Sequence, residues 1–297
     1  MNDDSLAERF EQERGKLRAV AYRMLGSEVE AEDALQEAWI RLERTDGVEN
    51  LGGWLRTVVT RICLDMLRSR RVRREDLTGP EILDQAPASR GTPEDEALVA
   101  DSVSRALLVV LDTLEPAERI AFVLHDMFAV PFAQIAPIVE RTPVATKKLA
   151  SRARQRVQGT PTVSAAELSR QRRVVAAFLD AARSGDLAAV LEVLDPDVVR
   201  RVDAAALSPG MSAELRGSRA VAEGTVSLAA RSRLAELALV NGAVGIVLAP
   251  HGRLSLAISF TSEKDRITSY DVIADPDRLR QLTLAVLPVT EGRSARS

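Results

Sequence analysis

The chain has 297 residues, of which 46% are hydrophobic, 28% are charged and only 3% are aromatic. This composition is typical of a folded, soluble protein with two or three domains whose cores are mainly aliphatic. The net charge of −3, taken over the whole chain, argues against a general polyanion binder. A single cysteine, Cys63, excludes a disulfide framework and a multi-thiolate zinc site.

The N-terminal segment is acidic, whereas a secretory signal begins with basic residues and continues into an apolar run. The longest apolar stretch, residues 237–250, contains Asn241 and two glycines, and it is shorter than the roughly 20 residues that span a bilayer. We therefore expect a cytoplasmic protein that does not associate with a membrane.

Three amphipathic helices are predicted before residue 76, because apolar residues recur there at intervals of three and four. Gly26 and Ser27 separate the first two helices, and the second carries an acidic block at residues 28–37. The third helix begins near Leu51. Residues 56–74 contain seven arginines and a single acid, so positive charge is concentrated in this segment.

Residues 77–101 are predicted to be a linker. They contain six acids, one arginine, three prolines and two glycines, and they show no apolar periodicity.

A helix-turn-helix is predicted near the end of residues 102–158. A helix at residues 132–139 is followed by a tight connection, and Thr142 with Pro143 opens a second helix as an N-cap and a first-turn proline. Residues 141–156 contain six basic side chains and no acid. In this motif the first turns of the second helix enter the major groove. Two basic helices in an otherwise acidic chain thus indicate contact with nucleic acid at two separated places.

Together these segments resemble the extracytoplasmic-function class of bacterial sigma factors. The string from Glu30 to Leu42, EAEDALQEAWIRL, is similar to the acidic helix of the second domain of that class. Residues 53–68 resemble its promoter-melting and minus-ten-reading helix, and residues 131–156 resemble its reader of the minus-thirty-five element. The resemblance covers about residues 5–158. Within it, Arg61 stands where the family commonly has asparagine, and Leu149 where it commonly has arginine.

The resemblance implies three groups of binding residues. Docking on the clamp-helix region of the largest subunit of core RNA polymerase is expected from Asp33, Gln36 and Glu37. Contacts with the minus-ten element, where the family captures an unstacked base, are expected from Asn50, Trp54, Arg56, Arg61, Asp65, Arg68 and Arg71. Contacts with the minus-thirty-five element are expected from Thr142, Thr146, Lys147, Lys148, Ser151, Arg152 and Arg154.

The last segment, residues 164–288, is predicted to be an α+β domain. Helical patterns at residues 174–182, 187–194 and 218–230 precede strand patterns at residues 234–240, 245–249, 254–260 and 267–273. Turns at Asn241-Gly242, His251-Gly252 and residues 263–265 separate these strands, as in a meander of hairpins. Helices followed by a curved antiparallel sheet form a cone, and this order resembles the SnoaL-like branch of the nuclear-transport-factor-two-like (NTF2-like) fold.

This resemblance also implies a regulatory role for the last segment. The string Asp275, Pro276, Asp277, Arg278 and Leu279 is similar to one found near the end of sigma factors that carry such an extension. A glycine-rich string that follows an aspartate in that group is not matched after Asp203. By resemblance, Asp203 and residues 275–279 are candidate regulatory residues in a domain that contacts the sigma domains and replaces a separate anti-sigma protein.

The sequence therefore predicts a multi-domain protein with two all-α sigma domains, residues 1–76 and 102–158, and the α+β domain. We predict an alternative sigma factor that binds core RNA polymerase and promoter DNA, has no catalytic site, and needs neither cofactor nor metal. Two alternatives stay open. One is a ligand-sensing helix-turn-helix regulator that acts without polymerase. The other is a SnoaL-like enzyme fused to a DNA-binding region, with candidate groups that no spacing pairs: Asp203, His251, Tyr270 and Asp271.

Overall fold

The structure, a computed structural model, describes residues 3–76, 104–207 and 212–288. Contacts between Cα atoms divide the chain into two compact units. The first unit comprises residues 1–104 and 111–155, and the second comprises residues 105–110 and 156–297. These units differ from the domains expected from the sequence, residues 1–76, 102–158 and 164–288. The boundaries of those domains stay a prediction. The predicted linker lies outside the described residues.

Three long helices begin the first unit: α1 spans Asp3–Leu25, α2 spans Glu28–Glu43 and α3 spans Leu51–Asp76. Ser27 caps α2, because its hydroxyl accepts a hydrogen bond from the backbone N–H of Glu30 (3.4 Å). The three helices predicted from the apolar spacing are confirmed.

The core of these helices is mainly aliphatic, as the composition predicted. Its largest fully buried side chains include Met24, Leu35, Leu42 and Leu55. Trp39 packs edge-to-face against Phe10, with ring centroids 5.0 Å apart, and it therefore belongs to the core. Cys63 is also fully buried, and this burial raises the pKa of its thiol to about 12. The thiol is consequently protonated at neutral pH.

Four further helices follow at residues 104–158. They are α4, Arg105–Asp112; α5, Pro116–Phe122; α6, Phe132–Ile135; and α7, Pro143–Gln158. Helix α5 is followed directly by a π-helical turn, Val123–Met127.

The first helix of the helix-turn-helix is shorter than the sequence predicted. We expected it at residues 132–139, but α6 ends at Ile135 and residues 136–140 form turns. Pro137 accounts for the difference, because proline has no backbone N–H to donate within a helix. The connection closes when the backbone N–H of Arg141 donates to the carbonyl of Ala136 (3.0 Å).

The further helices of the second unit are α8, Ala165–Ser184; α9, Leu187–Val193; α10, Ser218–Val226; α11, Ala229–Ser232; and α12, Pro276–Gln281. Helices α8 and α9 lie at predicted patterns, the pattern at residues 218–230 is divided between α10 and α11, and α12 was not predicted. Gly185 ends α8 with a φ of 72°, a left-handed conformation that favours glycine, and Asp186 then caps α9 by accepting from the backbone N–H of Ala189 (3.0 Å). None of the helices in the described ranges is long and apolar enough to cross a membrane.

Seven strands form one sheet among the described residues, in the order β2-β1-β6-β5-β4-β3-β7. The strands are β1, Leu194–Val202; β2, Glu214–Arg216; β3, Ala235–Val240; β4, Ala243–Leu248; β5, Leu256–Glu263; β6, Arg266–Ile273; and β7, Leu284–Ala285. Helices packed on one sheet confirm the predicted α+β class, and β3 to β6 confirm the predicted meander of hairpins.

The sheet extends beyond the predicted antiparallel strands to β1, which was not predicted. Strand β1 pairs with β6 in parallel, with Arg200 opposite Tyr270, so the sheet is mixed. A tight hairpin fixes the direction of the next strand, but β1 and β6 are far apart in the chain, and no local pattern specifies how they pair. The short strands β2 and β7 were also not predicted.

Candidate nucleic-acid interface

Helix α7 presents a basic face to solvent. The hydroxyl of Thr142 accepts from the backbone N–H of Ala145 (3.2 Å), which confirms Thr142 as the N-cap. The exposed side chains of the first three turns include Lys147, Lys148, Ser151 and Arg152. Intervals of three and four place these residues on one side of the helix.

Thr146 does not belong to this face. It has no exposed surface, and its hydroxyl donates to the backbone carbonyl of Thr142 (3.0 Å). A buried hydroxyl that already donates a hydrogen bond to the preceding turn is not available to contact a base edge. We therefore correct its assignment to helix packing.

Sequence reasoning missed Val144, which precedes Lys147 on the same face. It is 68% exposed, the largest exposure among the large hydrophobic residues found exposed in the described ranges. An apolar side chain in the first turn of a recognition helix is suited to contact a thymine methyl group in the major groove. Its exposure, rather than its residue type, makes Val144 a candidate for such a contact.

A groove of about 370 Å³ lies on the surface of α7, where its lining includes Arg141, Lys148 and Arg152. Three cations around a shallow groove suit a phosphate group. The guanidinium of Arg152 also lies 3.3 Å from the carboxylate of Glu118, which is nearly fully buried. Arg154 is held differently, because its Nε donates to Asp126 (2.8 Å) and ties α7 to the π-helical turn.

Helix α3 carries the second basic face. The sequence-predicted residues Arg61, Asp65, Arg68 and Arg71 are exposed. Arg68 lies 3.7 Å from the carboxylate of Glu140, and Arg71 pairs with Glu115. Arg56 is half-buried and donates to the side chain of Gln134 (3.0 Å). Within the first unit, arginines of the predicted minus-ten helix are thus engaged by residues of the helix-turn-helix segment.

Asn50 has a structural role at the beginning of α3. Its side-chain oxygen accepts from the backbone N–H of Gly53 (3.0 Å), as an N-cap does. A Cβ at Gly53 would lie 2.9 Å from the amide nitrogen of Asn50, so glycine leaves room for this cap. Trp54 follows in the first turn and is half-buried. The base-capturing role expected for this region stays a prediction.

The third candidate surface lies on α2. Asp33 and Gln36 are exposed, and Glu37 forms an ion pair with Arg41 (2.9 Å) on the helix surface. Sequence reasoning missed two apolar residues of the same helix, Val29 and Ile40, which are 45% and 40% exposed. An exposed surface that mixes carboxylates with apolar side chains is suited to a protein partner.

In the second unit, the candidate regulatory residues lie together. The carboxylate of Asp203 accepts from the backbone N–H groups of Ala274 and Asp275 (3.1 Å each), and it pairs with Arg278. Asp275 in turn caps α12 by accepting from the N–H groups of Asp277 and Arg278 (3.0 Å each). Pro276 occupies the first helical position, and Leu279 is half-buried. The structure thus joins two stretches that are about 70 residues apart in the chain.

Glu236, which the sequence did not single out, also acts as a cap. Its carboxylate oxygens accept from the backbone N–H of Arg105 (3.0 Å) and from that of Ala106 (2.9 Å). These are the first residues of α4, so a side chain of β3 satisfies the free N–H groups of a helix more than 120 residues earlier in the chain.

The groups considered for catalysis have separate local partners. Asp203 binds the start of α12, Asp271 lies 3.8 Å from Arg201, and the Tyr270 hydroxyl is 3.0 Å from that of Thr225. Burial raises the pKa of Tyr270, so this phenol is protonated at neutral pH. His251 lies in a short 3-10 helix, Pro250–Gly252.

Comparisons with known proteins agree with these segments. The family described as sigma-70 region 2 matches residues 9–73, and that described as sigma-70, region 4 matches residues 104–157. The ECF RNA polymerase sigma factor SigJ of Mycobacterium tuberculosis is 38% identical over 245 residues, which are 80% of this chain and 78% of that protein.

Two solved structures are also similar. The crystal structure of the M. tuberculosis extracytoplasmic function sigma factor SigJ is 33% identical and covers 92% of this chain and 98% of that one, with a TM-score of 0.46. An NTF2-like protein of unknown function from Cytophaga hutchinsonii is 18% identical and covers 37% of this chain and 93% of that one, with a TM-score of 0.25.

Proposed function

Because the chain belongs to the extracytoplasmic-function (ECF) family of RNA polymerase sigma factors, we propose that it directs core RNA polymerase to specific promoters and initiates transcription there. The observation that carries this function is the order of two sigma-70 matches, each of which contains an exposed basic helix, α3 in one and α7 in the other. The relatives are sigma factors rather than enzymes, and we assign the chain no catalytic step. It acts in the cytoplasm, where core RNA polymerase lies.

Run-off transcription tests this function. The purified full-length chain, mixed with bacterial core RNA polymerase, is expected to yield a defined transcript from promoter DNA selected by the holoenzyme from a randomised pool. Core polymerase alone is the control. Tight binding of duplex DNA by a dimer of the chain without polymerase, together with no run-off product, would support the helix-turn-helix regulator instead.

In this proposal the two basic helices bind different promoter elements. Helix α3 opens and reads the minus-ten element through the residues named above, and the first turns of α7 read the minus-thirty-five element. Helix α2 docks on the clamp-helix region of the largest polymerase subunit. Exposure supports these roles for Asp33 and Gln36 on α2, for Arg61 and Arg68 on α3, and for Lys147 on α7.

The recognition helix allows a paired prediction. Lys147→Ala is expected to weaken binding to the minus-thirty-five element by about 1–3 kcal/mol and to relax its sequence preference, because Lys147 lies where base edges are reached. Arg152→Ala is expected to weaken binding to all DNA sequences alike and to reduce the salt slope of binding by about 1, because Arg152 borders the cationic groove on α7.

Fluorescence anisotropy of the holoenzyme on matched and mutated minus-thirty-five elements, over a salt series, measures both effects. Lys16→Ala is the control, since Lys16 is an exposed cation of α1 outside both basic faces. If both variants lost the same amount of binding free energy on every DNA sequence, the separate roles of Lys147 and Arg152 would be contradicted.

We further propose that the C-terminal α+β domain modulates promoter activity. The bonds from Glu236 to the first residues of α4 support this role, because α4 begins the segment that matches sigma-70, region 4. The cluster of Asp203 with residues 275–279 supports it as well, since it fixes the end of the domain to the end of β1.

Removal of residues 165–297 is therefore expected to change open-complex yield and run-off transcription. The point variant Glu236→Ala, which keeps the domain but removes the cap of α4 at a cost of about 1 kcal/mol, is expected to shift activity in the same direction by less. Permanganate footprinting and run-off assays measure these quantities. Unchanged core affinity, open-complex yield and transcription in both variants would exclude modulation by this domain.

A further inference from the structure

The interior of the α+β domain contains an arginine whose charge is not balanced by the described residues. Arg200, in β1, is only 3% exposed. Its Nε and Nη2 atoms are buried and have no hydrogen-bond partner in the part of the chain that the structure describes. Within the described ranges, no carboxylate lies within ion-pair distance of its guanidinium. Buried arginine is rare in proteins unless an anion accompanies it, because a lone charge loses its hydration.

The surrounding residues accommodate this side chain. A Cβ at Gly224 of α10 would lie 2.8 Å from Nη1 of Arg200, so glycine at this position leaves space for the guanidinium. Tyr270 lies opposite Arg200 in the strand register, and its hydroxyl lies 3.0 Å from the hydroxyl of Thr225. One edge of the Arg200 guanidinium is therefore left without a partner among the described residues.

That edge has a specific chemistry. Nε and Nη2 are the two adjacent donors with which arginine binds a carboxylate through parallel hydrogen bonds. The side chain thus presents a complete bidentate site for one anion. A single positive charge in an apolar interior is balanced by a monoanion, whereas a dianion such as phosphate would leave an uncompensated negative charge.

The strand register shows what surrounds this edge on the same face of the sheet. Arg200 pairs with Leu215 and Tyr270, and Tyr270 pairs with Phe260. The rings of Phe260 and Tyr270 also contact Phe178 of α8, with centroids 5.4–5.5 Å apart. These residues form an apolar and aromatic wall beside the guanidinium.

The next row of cross-strand neighbours on this face of the sheet is apolar and partly exposed to solvent. Two residues further along β1, at a distance of about 7 Å, Val202 pairs with Val272. This second row consists of Val202, Val272, Ile258, Ile246 and Leu237. Ile246 is buried, but the other four side chains are only partly buried. A partly exposed apolar row next to a buried, unpaired cation is suited to an amphipathic ligand.

We propose that this face of the α+β domain binds a small monocarboxylate with an apolar body, whose carboxylate lies on Nε and Nη2 of Arg200 and whose body lies along the partly exposed row. The single charge of Arg200 selects the carboxylate, and the absence of charged side chains from the second row selects an apolar remainder. This binding site is independent of promoter recognition.

Titration of the full-length chain with octanoate tests the proposal. Octanoate is expected to bind saturably by isothermal titration calorimetry and to raise the Tm, whereas octanamide, which has the same chain without the charge, is expected to bind at least tenfold more weakly. Inorganic phosphate, a test for general anion binding, is expected not to bind. Equal binding of octanoate and octanamide, or no saturable binding of octanoate, would overturn the proposal.

Two variants locate the site. Arg200→Met keeps most of the volume and removes the charge, so the Tm of the free protein is expected to be maintained or raised while octanoate binding falls at least tenfold. Arg200→Lys keeps the charge but removes the bidentate edge, and intermediate binding is expected. Octanoate binding that is unchanged in a folded Arg200→Met chain would contradict the site.

Discussion

Replacing Asp33 and Gln36 together with arginine is expected to lower the affinity for core RNA polymerase by about 2 kcal/mol or more, which is roughly thirtyfold. Both side chains are exposed on α2. Two added cations would oppose the basic surface on which this helix docks in the proposed assembly. Run-off transcription at limiting polymerase is expected to fall by a similar factor.

A competition assay with labelled core polymerase measures this change directly. Asp180→Arg is a suitable control, because Asp180 is a 74% exposed carboxylate on α8, far along the chain from the docking helix. A circular dichroism spectrum identical to that of the original chain would show that α2 still folds. Core affinity that stays unchanged in the double variant would place the docking surface elsewhere on the chain.

The same helix shows what sequence reasoning achieves and where it stops. The acidic string of α2 identified Asp33 and Gln36 as surface residues, because polar residues at helical spacing rarely face a core. It did not identify Val29 and Ile40, since an apolar residue on an amphipathic helix is assigned to the buried side by default. Only the packing of α1 and α3 against α2 determines which apolar positions stay exposed.

Short polar residues show another limit of sequence reasoning. The resemblance assigned both Thr146 and Asn50 to DNA contacts, a role that is corrected for Thr146 and stays a prediction for Asn50. In the structure both bond to the backbone of their own helix, Thr146 through its hydroxyl and Asn50 through its amide oxygen. Side chains of this length compete for nearby backbone groups, whereas lysine and arginine are long enough to extend from the helix surface.

The α+β domain was predictable in its hairpins and not in its long-range pairing. Turns such as Asn241-Gly242 predicted the β3–β4 hairpin, with both turn residues at positive φ in the structure. The parallel contact of β1 with β6 has no such local signal. Arg200 was missed for the same reason, because a charged residue within a strand is expected to face solvent until its cross-strand neighbours are known.

Arg119→Ala is expected to lower the free energy of unfolding of the first unit by about 3 kcal/mol, because it removes a buried side chain together with its ion pair and its hydrogen bond to a backbone carbonyl. Arg119 is 2% exposed. Its guanidinium lies 3.3 Å from the carboxylate of Asp112, and it donates to the backbone carbonyl of Arg23 (3.4 Å). One side chain of α5 therefore holds both the end of α4 and the end of α1.

Urea denaturation followed by tryptophan fluorescence measures this unit selectively, because the two tryptophans of the chain, Trp39 and Trp54, both lie in it. Arg219→Ala serves as the control. Arg219 is 85% exposed in a surface ion pair of α10, and its loss is expected to change stability by less than about 0.5 kcal/mol.

The double variant Arg119→Met with Asp112→Leu separates charge from packing. If the cost of Arg119→Ala comes from the lost ion pair with Asp112, removal of both charges with most of the volume kept is expected to recover stability relative to Arg119→Met alone. A double variant that is no more stable than Arg119→Met would show instead that the bond to the Arg23 carbonyl, and not the ion pair, carries the energy. The ends of α1 and α4 would then be held together by the hydrogen bond of Arg119 to the backbone carbonyl rather than by its ion pair with Asp112.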